Sequence, residues 1–212
     1  MVIVGDMNLT LAQHRFLYGN GSDDRANLKG SFNRWPDGIV PIKINEDGFT
    51  EDRLKIVKAA MSYIANASCI KFNLNSETFE NYVVIVKGDG CSSNIGNLQK
   101  GAQYLMVNEI CTKGNIIHEL LHVLGFLHMH TNAQRDDFIK IYYENIRPEN
   151  LKNFEKFKAN VSMYNTEYDY RSILHYRKNA FAIDRSKPTI TPVERVANIG
   201  QRNGEIIGIL FI

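Results

Sequence analysis

His118 and His122 lie four positions apart, and Glu119 follows the first of them. On a helix this spacing puts both imidazoles on one face, one turn apart, so that they reach a single metal ion. Glu119 then sits beside the ion without having to bind it, placed to take a proton from water. Gly125 follows three positions after His122. A glycine there allows the left-handed turn that ends a helix sharply, and the returning chain can bring in His128 as a third nitrogen. Three neutral nitrogens leave a fourth position open, which separates a catalytic zinc site from a closed structural one. The chemistry of such a site is metal-assisted hydrolysis: zinc acidifies a water and polarises a carbonyl, while Glu119 carries the proton to the leaving amine. Four of the six histidines fall within residues 118–130. His130 is read as a hydrogen-bonded or exposed side chain rather than a ligand.

These residues need a helix to carry them, and the pattern predicts one over 113–126 that ends near Gly125. Upstream, Gly38–Ile44 reads as a strand, with Pro41 suggesting an edge or a strand start. Thr50 to Ala67 reads as a helix capped by Thr50, with Glu51 and Asp52 in its first turn. Leu54, Val57, Met61 and Ile64 form its apolar face. Ile70–Leu74, Tyr82–Val86 and Gln103–Val107 read as strands. Residues 1–34 are polar and rich in turn formers, and read as an extended arm or pro-segment with little core of its own. Residues 129–212 mix irregular chain with short helical stretches such as Glu149–Phe157. Helix, strands and helix followed by irregular chain imply an α+β domain in two lobes.

The chain has 212 residues, 44% of them hydrophobic, which is enough for one domain with a real core. With 25 basic and 23 acidic side chains its formal net charge is +2, so nothing points to nucleic acid or a membrane surface as partner. No apolar run reaches the roughly 18 residues needed to span a bilayer, and Met1–Val4 is too short for a signal-peptide core. Cys69, Cys91 and Cys111 make an odd count, which implies at least one free thiol or a missing partner. Composition alone favours reduced cysteines in a cytosolic protein. Four Asn-x-Ser/Thr sites, at Asn8, Asn20, Asn66 and Asn160, lean the other way, towards a secreted glycoprotein.

Residues 118–137, HELLHVLGFLHMHTNAQRDD, carry the metzincin signature. Within that group they resemble the astacin family of zinc endopeptidases, whose pattern is HExxHxxGFxHExxRxDRD. Ser172–Tyr176 resembles the family's SxMHY turn, and Arg34–Pro41, Gly90–Gly96 and Ile199–Arg202 match further family segments. The resemblance implies a two-lobed metzincin-like domain. Its N-terminal lobe would be a twisted sheet with two long helices, its C-terminal lobe largely irregular, with one zinc ion in the cleft between. It implies that His118, His122 and His128 bind zinc, that Glu119 is base and acid, and that Tyr176 is a further ligand that also assists catalysis. It pairs Cys91 with Cys111. It also implies a secreted enzyme acting on protein or peptide substrates.

The same resemblance divides the chain into a partial pro-segment, 1–25, and a peptidase domain, 26–212. Gly5-Asp6 matches a pro-segment motif whose aspartate blocks the zinc, making Asp6 the expected latency ligand, released by cleavage after Arg25. Arg202 is expected to favour acidic side chains just after the cleaved bond. Three departures stand out. Met129 replaces a glutamate that contacts the activated N-terminus. Leu174 replaces the methionine beneath the metal, a near-isosteric change that costs less than about 1.5 kcal/mol. Cys69 lacks its family partner, and the chain reads as truncated after Gly204. These departures support an alternative: a catalytically impaired or non-catalytic zinc-binding relative.

Overall fold

The computed structural model describes residues 1–19, 34–158, 168–194 and 198–202. The bond after Arg25, Asn20, Asn160 and the residues after Gly204 lie outside them. Its main sheet has seven strands, β1 (Val2–Val4), β2 (Met7–Leu9), β3 (Ile39–Ile44), β4 (Lys71–Asn73), β5 (Tyr82–Lys87), β6 (Ser92–Asn94) and β7 (Ala102–Val107). Their order across the sheet is β1-β2-β6-β7-β5-β3-β4. Strands β3, β4, β5 and β7 run parallel, and β6 is antiparallel to β7.

Two helices pack on this sheet, α2 (Glu51–Ala67) and α3 (Lys113–Val123), with α1 (Leu11–Tyr18) near the β1–β2 hairpin. Thr50 caps α2 as expected, its hydroxyl accepting from the Arg53 N–H. The alternation of β7 turns Gln103, Leu105 and Val107 inward. Leu105 and Val107 join Val57, Ala60 and Ile64 of α2 and Ile116, Ile117, Leu120 and Leu121 of α3 in one core. From Gly114 to Val123, α3 is buried on every side except at Asn115, which marks a central element rather than a surface helix. The second lobe holds a two-stranded ladder, β8 (Ile139–Ile141) and β9 (Ile190–Pro192), and a small core of Ile139, Ile146, Phe154, Tyr176 and Ile190.

Three expectations need correction. Residues 1–18 are not an arm without a core. Val4, Met7, Leu9 and Leu17 are buried with Ile95, Leu127 and Phe157, and β2 extends the main sheet by pairing parallel with β6. Pro41 is not on an edge strand, because β3 lies between β4 and β5. It is tolerated because the first half of β3 pairs with β4 and pairing with β5 begins only at Ile42, so the missing N–H falls at the change of partner. Pro148–Phe154 is a 3-10 helix, shorter than expected.

Cys91 and Cys111 are joined, with Cα atoms 6.0 Å apart and 20 positions between them in sequence. A buried Arg53 donates to the carbonyls of Cys111 and Glu109, tying this loop to α2. Reducing the bridge, or replacing both cysteines by serine, is expected to destabilise the fold by about 3 kcal/mol, the value for a loop of this size. The denaturant midpoint of oxidised and reduced protein measures it; an unchanged midpoint refutes it. Cys69 is exposed. Asn8 is not an open glycosylation site, since its side chain is buried and donates to Ser92 Oγ at 3.2 Å, whereas Asn66 is exposed.

Candidate metal centre and active site

Helix α3 starts at a capping box, Thr112 accepting from the Asn115 N–H and Asn115 from the Thr112 N–H. Its last carbonyls, which a helix leaves unpaired, are satisfied from three directions. The Gly96 and Gly125 N–H groups donate to the His122 carbonyl at 2.9 and 2.8 Å, and the Trp35 indole donates to the Val123 carbonyl at 2.8 Å. Gly125 has φ 97, which a side chain would strain, and this turn returns the chain to the helix face.

The turn delivers His128. Its Nε2 lies 3.2 Å from Nε2 of His118 and 3.2 Å from Nε2 of His122. All three rings are buried. Ring nitrogens about 3.3 Å apart are what tetrahedral zinc at about 2.0–2.1 Å requires. The outward nitrogens are held by carbonyls: Nδ1 of His118 by Ile173 at 2.8 Å, and Nδ1 of His122 by Phe126 at 2.7 Å. Each Nδ1 therefore carries the proton, and each Nε2 presents its lone pair to the shared centre. Burial lowers the pKa of His118, to about 3, and that of His128, keeping both neutral as metal ligands must be.

Asp6 completes the group. Its carboxylate oxygens lie 3.1 Å from His118 Nε2, 3.5 Å from His122 Nε2 and 2.8 Å from His128 Nε2. The buried Oδ1 nevertheless makes no well-formed hydrogen bond. A carboxylate oxygen and three nitrogens converging on one point, with no donor to join them, fit one zinc ion. The Asp6 carboxyl is held well below the usual carboxylate range despite its burial, so it stays ionised.

Asp6 is brought there by the hairpin between β1 and β2. The Gly5 N–H donates to Asn153 Oδ1 at 3.0 Å, and the Ser93 N–H donates to the Asp6 carbonyl at 3.1 Å. Gly5 has φ +63, and a side chain on it would strike the Tyr176 hydroxyl. Glu119 is buried beside the centre, accepting from Ser93 Oγ at 3.1 Å. Burial and the negative charge of Asp6 raise its pKa well above the usual value, against the Ser93 bond and Arg202.

Tyr176 lies next to His128, with ring centroids 4.9 Å apart, and stacks on His130 at 3.8 Å. His130 is buried and its Nε2 bonds the Asn153 carbonyl at 3.0 Å, in keeping with a non-ligand role. Leu174 and Met129 are both buried, and the Met129 N–H donates to the Leu174 carbonyl at 3.1 Å. A cavity of about 620 Å³ opens beside the centre, lined among others by Asp6, Tyr176, Arg177, Phe181 and Arg202. Sequence reasoning assigned no role to Ser93, Asn153 or the Ile173 carbonyl. Ser93 lies within a segment that matched the family, but backbone carbonyls leave no signature in a sequence.

A two-lobed α+β fold around a three-histidine cluster with a neighbouring glutamate defines a metzincin-type zinc peptidase fold. Residues 27–205 match the family model for astacin, peptidase family M12A, and the chain belongs to that family. It is 37% identical over 172 residues to zinc metalloproteinase nas-14 of Caenorhabditis elegans, covering 79% of this chain and 34% of the relative. It is 37% identical over 176 residues to the astacin-like metalloendopeptidase of Gallus gallus, covering 80% and 42%. Among solved structures it is similar to high choriolytic enzyme 1, a hatching enzyme zinc-protease from Oryzias latipes. The TM-score there is 0.73 at 34% identity, covering 82% of this chain and 86% of the other. The chain spans between about a third and a half of the length of curated relatives such as nas-14, nas-13 and nas-12, at 34%, 42% and 52%. Among the described residues no helix is long and apolar enough to cross a membrane.

Proposed function

We propose that this protein is a secreted zinc endopeptidase, made as a zymogen that Asp6 holds latent. The observation that carries this reading is the convergence of His118, His122, His128 and Asp6 on one point, with Glu119 buried beside it. The three histidines would hold the zinc, and Tyr176 would be a further ligand. When bound, zinc supplies Lewis acidity toward water and the scissile carbonyl. Glu119 accepts the proton of the attacking water and delivers it to the leaving amine. The Ser93 hydroxyl, 3.1 Å away, holds the Glu119 carboxylate in the orientation for both transfers. Tyr176 donates a hydrogen bond to the carbonyl oxygen as negative charge develops there.

Latency is supported by position. The β1–β2 hairpin lies across the histidine cluster, and β2 takes up the edge of β6 that an extended peptide would need. Residues 1–25 would be the pro-segment, removed by cleavage after Arg25, and 26–212 the peptidase domain. The Cys91–Cys111 bridge supports an oxidising, extracellular location. Arg202 lines the cavity beside the centre, which supports a preference for acidic side chains after the cleaved bond.

The test is activation. The full chain, expressed oxidatively, is treated with trypsin, which is then blocked by a serine-protease inhibitor. A mixed peptide library is expected to be cleaved only after that treatment and not in the presence of a zinc chelator. A folded, zinc-loaded chain that cleaves nothing under any activation condition would establish the non-catalytic alternative.

A further inference from the structure

The Ile173 carbonyl that fixes His118 has a second partner. A carbonyl oxygen has two lone pairs. One accepts from His118 Nδ1 at 2.8 Å, and the other accepts from Nη1 of Arg202. The same Nη1 also reaches the His175 carbonyl at 3.2 Å. Arg202 thus clamps the 173–175 turn through two of its carbonyls. The other carbonyl partner in the site, Phe126 O on His122, needs no such support, because it lies in the same tight turn four residues on. Ile173 is 55 positions from His118, so only tertiary contacts hold its carbonyl in place.

We infer that Arg202 is a positioning residue for the metal centre, acting through the Ile173 carbonyl to fix the ring orientation and tautomer of His118. This rests on the zinc reading above, and it is separate from any role of Arg202 in choosing substrates. The carbonyl end of the clamp is buried: Ser172, Ile173, Leu174 and His175 are within 1% of full burial. A fixed cation donating to two carbonyls there leaves the turn one arrangement, whereas an unclamped turn lets the His118 ring rotate. Partners behind metal ligands typically change metal affinity by about 10–100-fold when removed.

The experiment measures zinc affinity of the full chain by competition with a chromophoric chelator, with no substrate present. Arg202→Ala is expected to weaken zinc binding by about 10–100-fold, with the zinc-free fold unchanged by circular dichroism. Arg202→Lys, which keeps a cationic donor, should recover part of the loss. In a His118→Ala background, where the ring to be oriented is gone, adding Arg202→Ala should weaken zinc no further. Unchanged zinc affinity in Arg202→Ala overturns the inference, and so does an undiminished loss in the His118→Ala background. If every variant at 202 loses the zinc-free fold, Arg202 is a general structural residue and the inference is also overturned. If His118→Ala alone leaves zinc affinity intact, it is the zinc reading that fails.

Discussion

Glu119→Gln is expected to lower kcat/KM of the activated protein by about 10²–10⁴-fold, the range for loss of a general acid–base. That corresponds to about 3–5 kcal/mol of transition-state stabilisation. Glutamine matches glutamate in shape and still accepts from Ser93 Oγ, so the side chain stays where it is. What it loses is the ability to take a proton from water and return it. Glu119 is buried, and burial of its charge is unfavourable, as the upward displacement of its pKa reflects. The variant should therefore be at least as stable as the parent and bind one zinc per chain. Zinc content, denaturation midpoint and kcat/KM measured on one preparation decide the matter. A loss of less than tenfold, with zinc in place, would remove Glu119 as the proton carrier.

The second large effect concerns latency. Asp6→Ala removes the one carboxylate, among the described residues, that groups with the three histidine nitrogens. It does not remove the hairpin, because Val4, Met7, Leu9 and Leu17 stay buried. Fully burying a large apolar side chain contributes about 1.5–3 kcal/mol, so these contacts persist when one carboxylate is removed. The Ser93 N–H also still bonds the backbone of residue 6, and Gln13 Nε2 the Ile95 carbonyl at 2.9 Å. The cleft thus stays partly covered, and the two effects oppose each other. The expected result is an uncleaved variant about tenfold or more active than the uncleaved parent, a shift of about 1.4 kcal/mol or more, yet below the trypsin-activated protein. Uncleaved variant and uncleaved parent with the same background activity would show that latency does not run through Asp6.

The departures in the metal turn bear on both results. Leu174, nearly as large as methionine, is buried in the main core. Met129 is buried, with its backbone N–H bonded to the Leu174 carbonyl.

Much of this centre could be read from the sequence because it is local. His118, Glu119 and His122 are placed by helical geometry alone, and His128 by one glycine at positive φ. Eleven consecutive residues therefore bring three histidines and a glutamate to one helix and the turn that follows it. Helices α2 and α3, strands β3, β4, β5 and β7 and the Cys91–Cys111 pair were equally legible, from periodicity, capping residues and the family pattern. The strand character of residues 2–9 was not, because strands of three residues are too short for alternation to register. The place of Pro41 was hidden too, since its tolerance depends on which neighbour pairs with which half of β3.

What only the tertiary structure decided is how distant backbone and side-chain groups meet the histidines and Glu119. The sheet's register brings Ser93 against Glu119 and sets how Asp6, which the family pattern had already singled out, lies against the histidines. The 172–176 turn brings a backbone carbonyl to His118 and Arg202 to that carbonyl. Side-chain identity sets a metal ligand, so a sequence can announce one. Orientation is set by backbone groups that every residue shares, and only their places in the fold distinguish them.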